Sequence, residues 1–165
     1  ATSYQIYRST AKDGDYQNIK TIDNVGTSSW TDSSVKTGKT YYYKIKTVVK
    51  TQNGEQTNGF SNVKSAKAVP AKTTLKAKAS DAKNVKLTWS KVKGASGYEI
   101  YRSNSKDGKY SKVKTISKGS TTSYKNGKLK KSTTYYYKIR AYRKVNGKKV
   151  YGSYSSVVSV KTKAK

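Results

Sequence analysis

The side chains that most often carry chemistry are largely missing: the chain has no His, no Cys and no Met. A nucleophile triad or a thiolate and imidazole metal site therefore has nothing to draw on. Carboxylate chemistry is nearly as poor, because residues 70–165 hold only Asp81, Glu99 and Asp107, and Asp107 sits in a "KDG" turn. The glycines of "GASG" (94–97) precede no helix and do not form a phosphate loop. Catalysis, metal binding and cofactor binding are thus not expected. What the chain has in quantity is Tyr, 16 residues, and Lys plus Arg, 36 residues. Interleaved aromatics and cations can stack on sugar rings or bases while holding phosphate or carboxylate.

The charge is unevenly spread. Residues 1–69 carry 10 basic and 5 acidic side chains, net +5, whereas residues 70–165 carry 26 and 3, net +23. An anionic partner should favour the second half. No stretch approaches the roughly 18 consecutive apolar residues of a membrane span, so membrane insertion is not expected. The opening "ATSYQIYRST" lacks a signal peptide's basic and apolar regions, and the expectation is a segment of a longer chain.

Two copies of one module are present. Residues 1–47 laid on 95–141 without a gap are identical at 22 of 47 positions, and "YYYKI" recurs at 41–45 and 135–139. Further on, "NGEQTNGFSN" (53–62) matches "NGKKVYGSYSS" (146–156) after a one-residue slip. The expected organisation is 1–69 for the first module and 70–165 for the second. Pro70, the chain's single proline, lies in a short stiff joint. The tail "VKTKAK" reads as frayed.

The apolar period is two. Tyr98, Ile100 and Arg102 alternate with Glu99 and Tyr101, and Tyr135, Tyr137, Ile139 and Ala141 alternate with Tyr136, Lys138, Arg140 and Tyr142. Turn signals stand at "KDG" (106–108), "KNG" (125–127) and "VNG" (145–147). Strands are expected near 73–79, 84–90, 97–103, 109–117, 121–124, 134–144 and 149–161, the seven of an all-β sandwich. The first copy begins directly at "SYQIYRS" with nothing matching the first two strands, so its inner face of Tyr4, Ile6, Tyr41, Tyr43 and Ile45 should be uncovered.

"VKLTWSKVKGASGYEIYRS" followed by "LKKSTTYYYKIRAY" resembles a fibronectin type III domain, with Trp89 on the second strand and a tyrosine corner at Leu129 and Tyr135. The resemblance covers residues 72–161, and the first copy joins it from its third strand, with Val35 and Tyr41 at the corner. Lys131 and Thr37 stand where the family commonly has Pro. The resemblance implies two tandem immunoglobulin-like (fibronectin type III) β-sandwiches, the first lacking its two N-terminal strands. It also implies a core of Trp89, Tyr98, Ile100, Leu129, Tyr135, Tyr137 and Ile139, with the Tyr135 hydroxyl bonded to the preceding loop.

The Lys-, Tyr- and Ser-rich style is similar to modules of Gram-positive cell-surface and wall-associated proteins. That implies a secreted, extracellular spacer and adhesion pair at the cell surface or cell wall. Its partners would be an anionic wall polymer or glycan, further domains of a parent chain, or neighbouring subunits. Some such modules crosslink Lys to Asn through a buried carboxylate, but no acid stands at an inward position here. The binding face would be the outer one, with Tyr101, Tyr136, Lys138, Arg140 and Tyr142. Two readings of that face remain open: cross-strand Tyr and Lys pairs that cover the sheet, or a stacking platform. Two other functions are carried alongside, single-stranded nucleic-acid binding by the basic Tyr-rich face and a structural subunit of an extracellular fibre.

Overall fold

The computed structural model describes residues 1–165. The chain is all β and divides into two compact units, residues 1–68 and 69–165. Unit 2 is a sandwich of two antiparallel sheets. One sheet is formed by β6 (Leu75–Ala79), β7 (Val85–Trp89) and β10 (Ser123–Asn126), in the order β10-β7-β6. The other follows the order β12-β11-β8-β9, from β8 (Gly97–Ser103), β9 (Ser111–Ile116), β11 (Thr134–Val145) and β12 (Lys148–Tyr151). A fifth strand of that sheet, β13 (Val158–Lys161), also pairs with β11.

Strand alternation sends one row of side chains from each sheet into the space between them. Leu75, Val85, Leu87 and Trp89 meet Tyr98, Ile100, Tyr135, Tyr137, Ile139 and Ala141, and Leu129 closes the end. All seven expected core residues lie in this cluster. Each large apolar side chain buried there contributes roughly 1.5–3 kcal/mol. Tyrosine serves as core material because its hydroxyls find partners. Tyr98 Oη accepts from Val92 N at 2.9 Å and donates to the Gly119 carbonyl at 3.2 Å. Tyr137 Oη donates to Asn126 Oδ1 at 2.8 Å. At the corner, Tyr135 Oη accepts from the Lys130 N–H at 3.0 Å.

Several expectations are corrected. The stretch 149–161 is two strands, giving unit 2 eight rather than seven. The chain leaves β11 after Tyr151 and rejoins it at Val158, and between them Ser155 bridges to Ile139 through its backbone N and its Oγ, at 2.7 and 3.1 Å. "KNG" is more than a turn, since Asn126 ends β10 and is buried. The tail is anchored through Thr162, which is buried with its Oγ1 donating to the Lys130 carbonyl at 2.6 Å. The one-residue slip between the copies is a difference of turn chemistry only. Thr51 pairs with Gly54 and Val145 with Lys148, so both hairpins have two-residue loops and the offset of 94 persists. Asn146 and Gly147 take φ of 49° and 76°, the left-handed pair such a loop needs.

Unit 1 is a single sheet, ordered β2-β1-β3-β4, from β1 (Ser3–Ser9), β2 (Gln17–Ile22), β3 (Thr40–Thr51) and β4 (Gly54–Thr57). β5 (Lys64–Lys67) pairs with β3 beside β4. It reproduces the larger sheet of unit 2 strand for strand, including the corner bond from Lys36 N to Tyr41 Oη at 3.0 Å. The opposing sheet is absent. Unit 1 has no counterpart of β6 or β7, and residues 29–32, which match β10, form no ladder. The reason is local: β10 pairs with β7 alone, and without that partner the segment has nothing to bond. Ile45 is consequently 41% exposed where its counterpart Ile139 is 0% exposed. The expectation of an uncovered inner face is corrected for the rest: Ile6 and Tyr41 are buried and Tyr4 and Tyr43 half-buried, because the segment from Val25 to Lys36 folds against them and bonds to all three tyrosine hydroxyls. Two grooves open on this face, of 460 and 310 Å³, both lined by Ile6, Trp30 and Ile45.

Candidate functional site

On the outer face of unit 2, β8 and β11 pair Glu99 with Arg140, Tyr101 with Lys138, and Gly97 with Tyr142. This register brings the expected site residues to one patch, but their contacts differ from an open platform. At its centre is Glu99, whose side chain is 1% exposed. Its Oε1 accepts from Lys149 Nζ at 3.0 Å and Tyr151 Oη at 3.1 Å. Its Oε2 accepts from Tyr101 Oη at 2.8 Å and Arg140 Nη2 at 2.9 Å. Lys112 Nζ adds a charge at 3.6 Å. Burial alone would raise the Glu99 pKa, yet the bonds from Lys149, Tyr101, Arg140 and Tyr151 outweigh it and hold the carboxyl down at about 2. Burial, reinforced by the bond to Glu99, pushes the Tyr101 phenol well above its ordinary range.

The cations are occupied by the protein's own rings. Arg140 lies 3.7 Å over Tyr151 and 4.9 Å over Tyr154, and Lys138 lies 4.4 Å from each of Tyr110 and Tyr154. Tyr101 meets Tyr154 edge-on at 5.3 Å. Tyr142 is corrected outright. It is on the outer face but only 1% exposed, because β12 carries Tyr151 and Lys149 across its ring, at 6.2 and 4.4 Å. Tyr136 is half-buried, between Ser103 on β8 and Ser159 on β13. A ligand could therefore reach the edges of this patch, while at its centre the aromatic and cationic groups satisfy one another.

Unit 1 repeats the arrangement without the carboxylate. Gln5 stands for Glu99 and accepts from Tyr7 Oη at 3.0 Å. Lys44 lies 4.2 Å from Tyr16 and 4.0 Å from Phe60, and Tyr7 meets Phe60 edge-on at 4.9 Å. In both units a Lys of the outer sheet is thus held between two rings of the chain itself.

Sequence reading missed Glu99 as a buried acid, along with Tyr110, Tyr151 and Tyr154. Alternation places Glu99 outward, and three of the four groups bonded to it come from residues 41 to 52 positions away in the chain. The Lys–Asn crosslink gains no support from it, since its bonded partners include no Asn. No three carboxylates gather where they could share a metal ion.

This fold is similar to that of solved fibronectin type III structures. The FN1-FN3 domains of chicken CNTN1 superpose with a TM-score of 0.50 at 21% identity, over 98% of this chain and 56% of that one. The chain thus spans about half the length of that structure. FN3tt matches at TM-score 0.48 and 22% identity over 59% of this chain and 99% of that one. A fibronectin type III domain from the human KIAA0970 protein matches at 0.44 and 26%, over 58% and 72%. No family model and no curated protein matches the sequence. The fold is all β: an immunoglobulin-like, fibronectin type III β-sandwich in residues 69–165, and in residues 1–68 one sheet of the same sandwich, without counterparts of β6 and β7.

Proposed function

We propose that the chain is a non-catalytic spacer and adhesion pair of an extracellular, wall-associated protein, whose second module contacts an anionic cell-wall polymer or glycan. The observation that carries this is the charge: +23 on residues 70–165 against +5 on residues 1–69. The shared sheet is built in both modules, yet their net charges differ more than fourfold, so that sheet does not require the excess. The fibronectin type III fold supports a modular, non-catalytic role within a larger protein. The self-satisfied outer face argues for charge over ring stacking as the source of affinity.

Cosedimentation of the full chain with cell walls carrying or stripped of teichoic acid tests this. Retention by the intact walls that falls steeply from low to high salt is expected. Retention that is equal on both walls and indifferent to salt overturns the reading. Preference for single-stranded DNA over every wall polymer would favour nucleic-acid binding instead.

A further inference from the structure

The two modules carry the same corner, and one difference between them changes its electrostatics. In unit 1, Arg8 Nη1 lies 2.7 Å from Asp32 Oδ2, which also accepts from Tyr43 Oη at 2.9 Å. Ser34 Oγ donates to Asp32 Oδ1 at 2.7 Å, so the arginine is neutralised where it stands. In unit 2 the matching residues are Arg102, Asn126, Tyr137 and Lys128. The hydrogen bonds survive, Arg102 Nη1 to Asn126 Oδ1 at 3.1 Å and Tyr137 Oη to the same atom at 2.8 Å. The carboxylate does not, and a second cation replaces Ser34. Above this corner lies a 620 Å³ basin lined by Arg102, Lys128, Lys130, Ser132, Thr134 and Tyr135, among others.

Three cationic residues thus line one basin, and none pairs with a carboxylate. Two features preorganise it. The Arg102 guanidinium is fixed over the Tyr135 ring at 5.2 Å while Asn126 holds one of its nitrogens. The loop is set by left-handed Lys128 and Ser132, at φ 57° and 51°, and by the Lys130 N–H bonded to Tyr135. A guanidinium edge, two ammonium groups and neighbouring hydroxyls form a donor set for an oxyanion.

We propose that this basin, and not the outer aromatic face, is an oxyanion-binding site of module two, taking a phosphate or carboxylate group of an anionic polymer. The ligand class rests on the proposed function above; the site itself rests on the corner geometry. In module one the matching arginine is neutralised by that module's own carboxylate, Asp32.

The test is a titration of the isotopically labelled full chain with inorganic phosphate at low salt, followed by backbone amide shifts. Shifts centred on residues 128–134 are expected. Asn126→Asp, which copies the carboxylate of module one, and Lys128→Ser should each weaken them about tenfold at low salt, whereas Lys76→Ser on the opposite sheet should not. The reciprocal Asp32→Asn/Ser34→Lys pair should create a new response around residues 34–40, which a folding defect cannot mimic. Shifts spread evenly over the lysines, with Asn126→Asp no weaker than Lys76→Ser, overturn the site. A second arm compares retention on a glycerol phosphate polymer and on a polyuronate, which separates phosphate from carboxylate as the source. Equal retention of wild type and Asn126→Asp/Lys128→Ser on both polymers removes the basin and leaves the adhesive reading standing. Phosphate binding in the basin with no polymer retained removes the adhesive reading and keeps the site.

Discussion

Glu99 is the residue on which the outer face of module two turns. A carboxylate held at about 2, against an ordinary 4.5, is more acidic folded than unfolded. Its stabilisation is fully present above the unfolded value and is lost as pH falls from about 4.5 towards 2. At about 1.4 kcal/mol per pH unit, that is on the order of 3 kcal/mol for this almost wholly buried group. Trp89 reports on module two alone once Trp30 is replaced by Phe, so its unfolding can be followed in the full chain. Module two should weaken steadily between pH 5 and 2, and Glu99→Gln should be weaker at pH 7 but nearly flat over that range. An unchanged slope in Glu99→Gln would show that other carboxylates set the acid sensitivity. Tyr135→Phe tests the corner in the same assay. It leaves the Lys130 N–H without its acceptor, with an expected cost on the order of 1 kcal/mol. An unchanged midpoint would mean that water replaces the phenol.

Along the strands, period-two alternation states which side chains face inward, and the tyrosine core of module two was legible for that reason. The outward row was legible too, but its environment was not. Whether an outward residue is exposed depends on the neighbouring strand, and the covering residues Lys149, Tyr151 and Tyr154 lie beyond a turn, two of them on β12. The split of 149–161 escaped notice because Ser155 substitutes its Oγ for a carbonyl, and a serine within a serine-rich run carries no pattern. At this scale the two readings of the outer face separate. Tyr101→Ser/Tyr136→Ser keeps every charge and removes two rings. Because Tyr101 spends its hydroxyl on Glu99 and its edge on Tyr154, the double variant should lower the unfolding midpoint of module two. Its retention on anionic polymer should stay within about twofold of wild type, since Coulomb attraction carries the affinity. A tenfold loss of retention with the fold intact would restore the stacking platform.

At the scale of the whole molecule, residues 69–165 form both sheets of the sandwich and residues 1–68 form one, and the two-sheet unit states what covers such a face. In module two, Leu75, Val85, Leu87 and Trp89 cover Tyr98, Ile100, Tyr137 and Ile139. In module one the matching Tyr4, Ile6, Tyr43 and Ile45 face two grooves, and Trp30 is 38% exposed. Such a face recruits a strand pair with alternating apolar residues. A peptide of residues 72–91, the β6–β7 hairpin, carrying Trp89→Phe and added to the full chain with the same substitution, should dock on module one, shift Trp30 emission to the blue, and bring residues 29–32 into a ladder. A scrambled peptide of the same composition should do neither. Equal effects from both peptides would show only non-specific attraction to the apolar face. Concentration-dependent filaments of the chain alone, suppressed by the hairpin peptide, would instead identify a neighbouring subunit as the donor and favour the fibre. Without peptide, module one should unfold with low cooperativity beside a sharp transition of module two. A single sharp transition reported equally by Trp30 and Trp89 would contradict the incomplete core assigned to module one.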